Sequence, residues 1–275
     1  MPNTHKQNIE ASRDIIRAKI GAVKPKAAII LGTGLSDLAE KIENPVAVSY
    51  ADLPGFPEMT VMGHVGTVVA GRLGGVDVLA FRGRKHFYET DDAAPLKTMV
   101  RTVKALGIET LFLSNAAGSL RDSMLPGALM MITDHINLMG YNPLVGPNDD
   151  DFGPRFPPMT DAWDPILQDK LAETARAEKI TLHEGIYVGF RGPSFETPAE
   201  IRMAQQIGGG AVGMSSVPDC IIARHCGLRV VGCSCITNLG AGLGDEELSH
   251  AHTLQNAKRG AADFERLVTA FVRRL

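Results

Sequence analysis

Apolar positions along this chain switch repeatedly between two periods. Residues 9–20 carry apolar side chains at helical spacing and stop at Gly21, which predicts a first helix. Lys24-Pro25-Lys26 breaks it. Ala27-Ala28-Ile29-Ile30-Leu31 is then continuously apolar, the pattern of a strand covered on both faces. Gly32-Thr33-Gly34 follows, and residues 35–42 read as a helix. Further strands are predicted at 65–70, 76–81, 110–114, within 129–137, and at 183–190, 211–215 and 228–237. Helices are predicted at 94–106, 164–179, from Pro198, at 217–226 and at 248–275; Leu254, Ala257, Ala261, Phe264, Leu267, Val268 and Phe271 form the core face of the last. A Pro/Gly/Asp-rich connection over 139–158 is long for a compact domain, and such loops are often functional. No repeat or linker divides this alternation, so residues 1–275 are expected to form a single α/β domain.

The predicted strands repeatedly end in small or polar clusters: Thr33, Arg84/His86, Asn115, Met214/Ser215 and Asn238. Ligand sites in α/β sheets gather at strand carboxyl ends. Gly83-Arg84-Lys85-His86-Phe87-Tyr88-Glu89 is the most pointed case. If the chain stays extended there, Arg84 and His86 project to one face and Lys85 to the other. The guanidinium fork and a neighbouring imidazole suit phosphate or carboxylate; the alternative is a strand end whose cations face water. Strand, glycine turn and helix around Thr33 place backbone amides near an anion. Asp37 stands where a dinucleotide fingerprint needs its third glycine, and no Lys follows as in a nucleotide P-loop. Asn115-Ala116-Ala117-Gly118-Ser119 reads as a small-residue loop permitting close backbone approach. Glu196, before the helix at Pro198, has helix-terminal electrostatics as its alternative role.

Composition removes several function classes. A formal net charge of -3 with no Lys/Arg-rich run argues against a nucleic-acid partner. No apolar run approaches the roughly 20 residues that span a bilayer, and the polar first residues lack the apolar core of a signal peptide, so a cytoplasmic protein without a membrane partner is expected. All four cysteines lie between Cys220 and Cys235. Zinc knuckles sit in turn-rich sequence, whereas Cys233 and Cys235 lie in a strand-like run; buried, reduced core cysteines are the expectation.

Taken together, these segments resemble the trimeric purine nucleoside phosphorylases. The resemblance is carried by Leu31-Gly32-Thr33-Gly34-Leu35, Gly63-His64, the Gly83–Glu89 segment, Asn115–Ser119, Asp134-His135-Ile136-Asn137 and Gly146-Pro147-Asn148-Asp149. It continues through Gly192-Pro193-Ser194-Phe195-Glu196-Thr197, Val212-Gly213-Met214-Ser215, Ala223-Arg224-His225-Cys226 and Ile236-Thr237-Asn238, in the family's order. The resemblance implies a three-layer α/β/α fold with a mixed central β-sheet. It also implies reversible phosphorolysis of purine (deoxy)ribonucleosides to free base and pentose 1-phosphate in a homotrimer. Inorganic phosphate is then a co-substrate, with no organic cofactor and no metal.

Carried over by position, the resemblance implies a phosphate site of Thr33, His64, Arg84, His86, Ala116 and Ser215. Tyr88, Met214 and His250 would surround the sugar, and Phe156 would reach a neighbouring subunit's sugar site. Phe195, Glu196 and Asn238 would hold the base, with Tyr187 and Val212 lining the pocket; Asn238, Glu196, His86 and His250 would be catalytic. His252 competes with His250, which the Leu248-Ser249-His250 pattern favours. Thr33 departs from the Ser of many relatives but keeps the hydroxyl. Arg191 replaces a residue that relatives often keep small or apolar, and a cation near the base could alter specificity.

A carboxylate at Glu196 accepting from a protonated ring nitrogen fits 6-oxopurines, hence inosine and guanosine, with xanthosine open because of Arg191. Methylthioadenosine phosphorylases, which take a 6-aminopurine, carry an acid where Asn238 stands. A nucleoside hydrolase and a non-catalytic nucleoside-binding module are the other readings.

Overall fold

A computed structural model of the chain describes residues 4–61, 65–244 and 248–275; His64 lies outside them. Helix α1 (Thr4–Ile20) leads into strand β1 (Ala27–Leu31), whose residues are all buried. β2 (Glu43–Ser49), β3 (Thr67–Leu73) and β4 (Val76–Arg82) follow, then α2 (Ala94–Ala105), β5 (Thr110–Ser119) and β6 (Leu129–Asn137). The second half runs α3 (Pro165–Ala177), β7 (Leu182–Gly189), α4 (Pro198–Gln206), β8 (Gly209–Gly213), α5 (Val217–His225), β9 (Arg229–Leu239) and α6 (His250–Val272).

Local chemistry explains several boundaries. Asp164 caps α3 by accepting from the Leu167 amide at 2.9 Å, with Pro165 at the first turn. Thr197 and Glu200 form a reciprocal capping box on α4. Ser249 caps α6, so His250 opens that helix.

The nine strands described form one mixed sheet in the order β2-β3-β4-β1-β5-β8-β7-β6-β9. β1 is parallel to β4 and β5, whereas β3 is antiparallel to both β2 and β4. β5 also pairs in parallel with β9 from Thr110↔Arg229 to Ser119↔Leu239. That pairing closes β5, β8, β7, β6 and β9 into a ring, while the β2 end stays open. One core lies between the sheet and α1, α2 and α5 and includes Ile16, Met99 and Ile222. Another joins the opposite face to α6 and α3 through Phe264, Phe271 and Leu171. These are the three α/β/α layers, with apolar burial as the main driving force.

Four elements differ from the sequence reading. Residues 36–41 form a 3₁₀ turn rather than an α-helix. β2 carries no strand signal in the sequence, being mostly exposed at the sheet edge and lacking the apolar run of a central strand. Residues 115–119 continue β5, since double pairing to β8 and β9 overrides their small-residue composition. The chain after Arg82 leaves the extended conformation and turns.

The four cysteines are buried and free, and no metal-holding cluster occurs among the described residues. Burial pushes the Cys235 thiol up to about 11. No described helix is long and apolar enough to cross a membrane.

Candidate active site

Five strand ends and the first turn of α6 converge on one cavity of about 320 Å³. β1 delivers Gly32 and Thr33, the segment after β4 delivers Arg84, His86 and Tyr88, and β5 delivers Asn115 to Gly118. Val212 comes from β8, with Met214 and Ser215 just beyond it. Asn238 comes from β9, His250 and Thr253 from α6, and Phe195 and Glu196 from the loop after β7. Gly32 is there because a Cβ would stand 2.7 Å from both the Asn115 Cα and the Ser114 carbonyl oxygen.

At one end of the cavity the polar groups are already interlocked. Arg84, 1% exposed, donates from Nη1 to Asp219 Oδ2 and to Ser216 Oγ, each at 3.1 Å. Its Nη2 donates to the Ser114 and Ile30 carbonyls. Its cation therefore does not face bulk water. Ser216 Oγ also accepts from Asn115 Nδ2 at 2.8 Å. These bonds converge on a residue held at φ 58°, a left-handed conformation uncommon outside glycine.

His86 is fixed from its own turn. Its amide donates to Glu89 Oε1 at 2.8 Å, and its Nδ1 lies 3.1 Å from the same oxygen. The ring stacks on Tyr88 with centroids 4.7 Å apart. Burial lowers the His86 pKa despite Glu89. Burial alone would raise Glu89, but hydrogen bonds from His86, Thr60 and Lys85 outweigh it and hold the carboxyl at about 2. Lys85 joins Glu89 at 3.0 Å, so the three consecutive cationic positions are tied into the protein rather than spread over alternate strand faces.

The opposite end is less completely paired. Glu196 is 8% exposed, and its Oε1 is buried with no hydrogen-bond partner among the described residues. Desolvation, then the nearby Glu200 charge, raises its pKa. Helix capping belongs to Thr197 and Glu200, which leaves Glu196 for the cavity. Asn238 accepts from Thr237 Oγ1 and donates to the Leu239 carbonyl, both at 2.9 Å. Its amide can donate a further hydrogen bond.

Most sequence-predicted residues line this cavity: Thr33, Arg84, His86, Tyr88, Ala116, Phe195, Glu196, Val212, Met214, Ser215, Asn238 and His250. His252 is not among its lining residues; its amide instead donates to the capping Ser249 hydroxyl. Tyr187 is corrected from pocket lining to support. It is fully buried behind the wall, and its hydroxyl accepts from the Ser215 amide at 3.3 Å. Phe156 is 85% exposed and borders a different cavity with His135 and Ile221. Arg191 lies outside the cavity wall and pairs with Asp91 at the surface, joining the loop after His86 to the loop that carries Glu196.

Sequence reading missed Ser114, Ser216 and Asp219, which hold Arg84, and the buried role of Glu89. Glu89, three residues after His86, was legible as a local partner. Asp219 had no such signal, because an acid in the first turn of a helix has an ordinary electrostatic role.

A family model described as the Phosphorylase superfamily matches residues 26–273. Purine nucleoside phosphorylase 1 of Bacillus subtilis is 46% identical over 267 residues, covering 97% of this chain and 98% of that protein. The chain belongs to the purine nucleoside phosphorylase family. The Bos taurus purine nucleoside phosphorylase is 42% identical, with 90% of this chain and 88% of the relative covered. A crystal structure of isoform 2 of the Schistosoma mansoni purine nucleoside phosphorylase, in complex with cytosine and ribose-1-phosphate, superposes with a TM-score of 0.93. It is 36% identical and covers 100% of this chain and 99% of that one. The Schistosoma mansoni purine nucleoside phosphorylase in complex with inosine gives 0.91 at 34% identity, with 98% and 96% covered. Like its family, the chain is a pentosyltransferase, and its three-layer architecture is the fold of purine nucleoside phosphorylases.

Proposed function

We propose that this cavity carries out reversible phosphorolysis of 6-oxopurine ribonucleosides and deoxyribonucleosides, inosine and guanosine first. The observation that carries the reading is Glu196: a buried carboxylate with an unpaired oxygen, in the same cavity as the Arg84–His86 cluster. A carboxylate that accepts from the N–H of a 6-oxopurine gains its missing partner. Adenine offers no such proton. A site built around a hydrogen bond can reject the analogue lacking it by about 10⁴.

Thr33, Arg84, His86, the Ala116 backbone and Ser215 hold phosphate, and Tyr88, Met214 and His250 surround the sugar. Phosphate beneath the ring stabilises positive charge as the glycosidic bond breaks, then attacks the anomeric carbon. The bonding electrons leave with the purine, where Asn238 donates and Glu196 accepts; donors preorganised for developing charge lower the barrier. Neutral His86 serves as a hydrogen-bond donor or acceptor toward phosphate without adding a cation. Phosphate is a co-substrate, and this chemistry asks for no metal or organic cofactor. The protein acts as one domain in the cytoplasm. The 85% exposure of Phe156 supports a homotrimer in which it reaches a neighbour's sugar site.

Initial rates with inosine, guanosine, xanthosine and adenosine at saturating phosphate test the reading. Inosine and guanosine are expected to lead adenosine by about 10⁴ in kcat/KM. Asn238→Asp is expected to raise the adenosine-to-inosine ratio, and an unchanged ratio removes Asn238 from base selection. Xanthosine leading the panel would instead favour the reading in which Arg191 alters specificity.

A further inference from the structure

Behind the phosphate end lies a carboxylate that the proposed chemistry leaves unused. Asp219, in the first turn of α5, is 1% exposed and does not line the cavity. Its Oδ2 meets Arg84 at 3.1 Å, while its Oδ1 is buried with no hydrogen-bond partner among the described residues. An incompletely satisfied buried carboxylate is costly for a core to keep. The helix N-terminus favours a negative charge there, but that requires neither complete burial nor a direct contact with Arg84.

We propose that Asp219 is a positioning residue, the resident counter-ion of Arg84. It keeps the buried guanidinium in place and charge-compensated while the site is empty, and it tempers the affinity for the incoming oxyanion. This rests on the assignment of Arg84 to phosphate. Asp219 and phosphate are both negative and share one guanidinium, so each weakens the other's hold on it; buried charges feel one another strongly. Once the Asp219 charge is gone, phosphate becomes the principal counter-ion of Arg84 and binds more tightly.

The test is phosphate binding by calorimetry, with thermal unfolding in the presence and absence of phosphate. Asp219→Asn keeps the shape and an acceptor for Arg84 while removing the charge. It is expected to unfold at lower temperature in phosphate-free buffer, to gain a larger Tm increment from phosphate than wild type, and to bind phosphate about 10-fold more tightly. Its inosine KM is expected to move by less than about twofold, since Asp219 stands behind the phosphate end only. Asp219→Glu retains the charge and is expected to hold the phosphate Kd within about threefold of wild type.

A purely structural role predicts lower stability with no tightening, so an Asp219→Asn protein with an unchanged or weaker phosphate Kd overturns the proposal. So does an Asp219→Asn protein that fails to fold when expressed and purified in saturating phosphate, because the anion is expected to compensate Arg84. Wild type that binds no phosphate, or binds it equally well after Arg84→Met, overturns the assignment of Arg84 and this proposal with it.

Discussion

The two ends of the cavity are built on opposite principles. Around Arg84, the guanidinium is held at 1% exposure by a carboxylate, a hydroxyl and backbone carbonyls from β1, β5 and α5. Around Glu196, a loop presents an oxygen that has no partner among the described residues, beside a Phe195 that is 39% exposed. At the first end folding fixes the key cation, whereas at the second it leaves the key acceptor without a partner among the described residues. An inorganic oxyanion looks alike from every side and suits a fixed cluster of donors. A purine must be told from its analogues, and in the proposed reading an acceptor left short of a hydrogen does that through the cost of leaving it unmet.

Arg84→Met breaks this contrast most severely. It strands Asp219 as an uncompensated buried charge, so a loss of about 3–5 kcal/mol in urea unfolding is expected, together with loss of phosphate-dependent turnover. Normal stability in that variant would mean that the phosphate end is not interlocked as described. Glu196→Gln separates the two ends. The kcat/KM for inosine is expected to fall by about 10²–10³, while stability holds or rises because a desolvated carboxylate has been removed.

The pH dependence of Glu196 runs in two directions. Its folded-state pKa is raised, chiefly by burial. Its contribution to stability is therefore fully present below the unfolded carboxyl's pKa and is lost as pH rises through the raised folded value. Activity is expected to change oppositely, because in the proposed mechanism the ionised form accepts from the base. The acid limb of kcat/KM is expected above the ordinary carboxylate range in wild type and to be absent in Glu196→Gln; an identical acid limb in both would assign that limb to another group.

The smallest effect is expected at the rim. Arg191 and Asp91 are 42% and 81% exposed, and an ion pair so open to water is worth about 0–1 kcal/mol. Arg191→Ala is expected to leave stability within that range, with any change in nucleoside KM fading at high salt. A large, salt-insensitive effect on guanosine or xanthosine turnover would move Arg191 from the rim into base recognition.

Much of this arrangement was legible in the chain. Buried strands announce themselves by apolar runs such as Ala27–Leu31, and their polar ends at Thr33, Arg84, Ser215 and Asn238 meet in the cavity. The hidden part was of two physical kinds. The ring closure of β5 on β9 depends on pairing between segments more than a hundred residues apart, so Asn115–Ser119 carried the composition of a loop and the conformation of a strand. Two partners of Arg84, Ser216 and Asp219, come from an equally distant element, and nothing local to them distinguishes a counter-ion or bridge from an ordinary helix start. Tyr187 shows the same limit. Its strand was legible at residues 183–190, but whether the ring faces the cavity or supports its wall depends on Gly213, where a Cβ would stand 2.3 Å from the Tyr187 hydroxyl.

The most direct measurement is hypoxanthine release from inosine by the purified protein, with and without inorganic phosphate, following pentose 1-phosphate in parallel. The account predicts negligible release without phosphate and, with it, one pentose 1-phosphate formed per base. Equal release in phosphate-free buffer, yielding free pentose, would contradict it and make the protein a hydrolase.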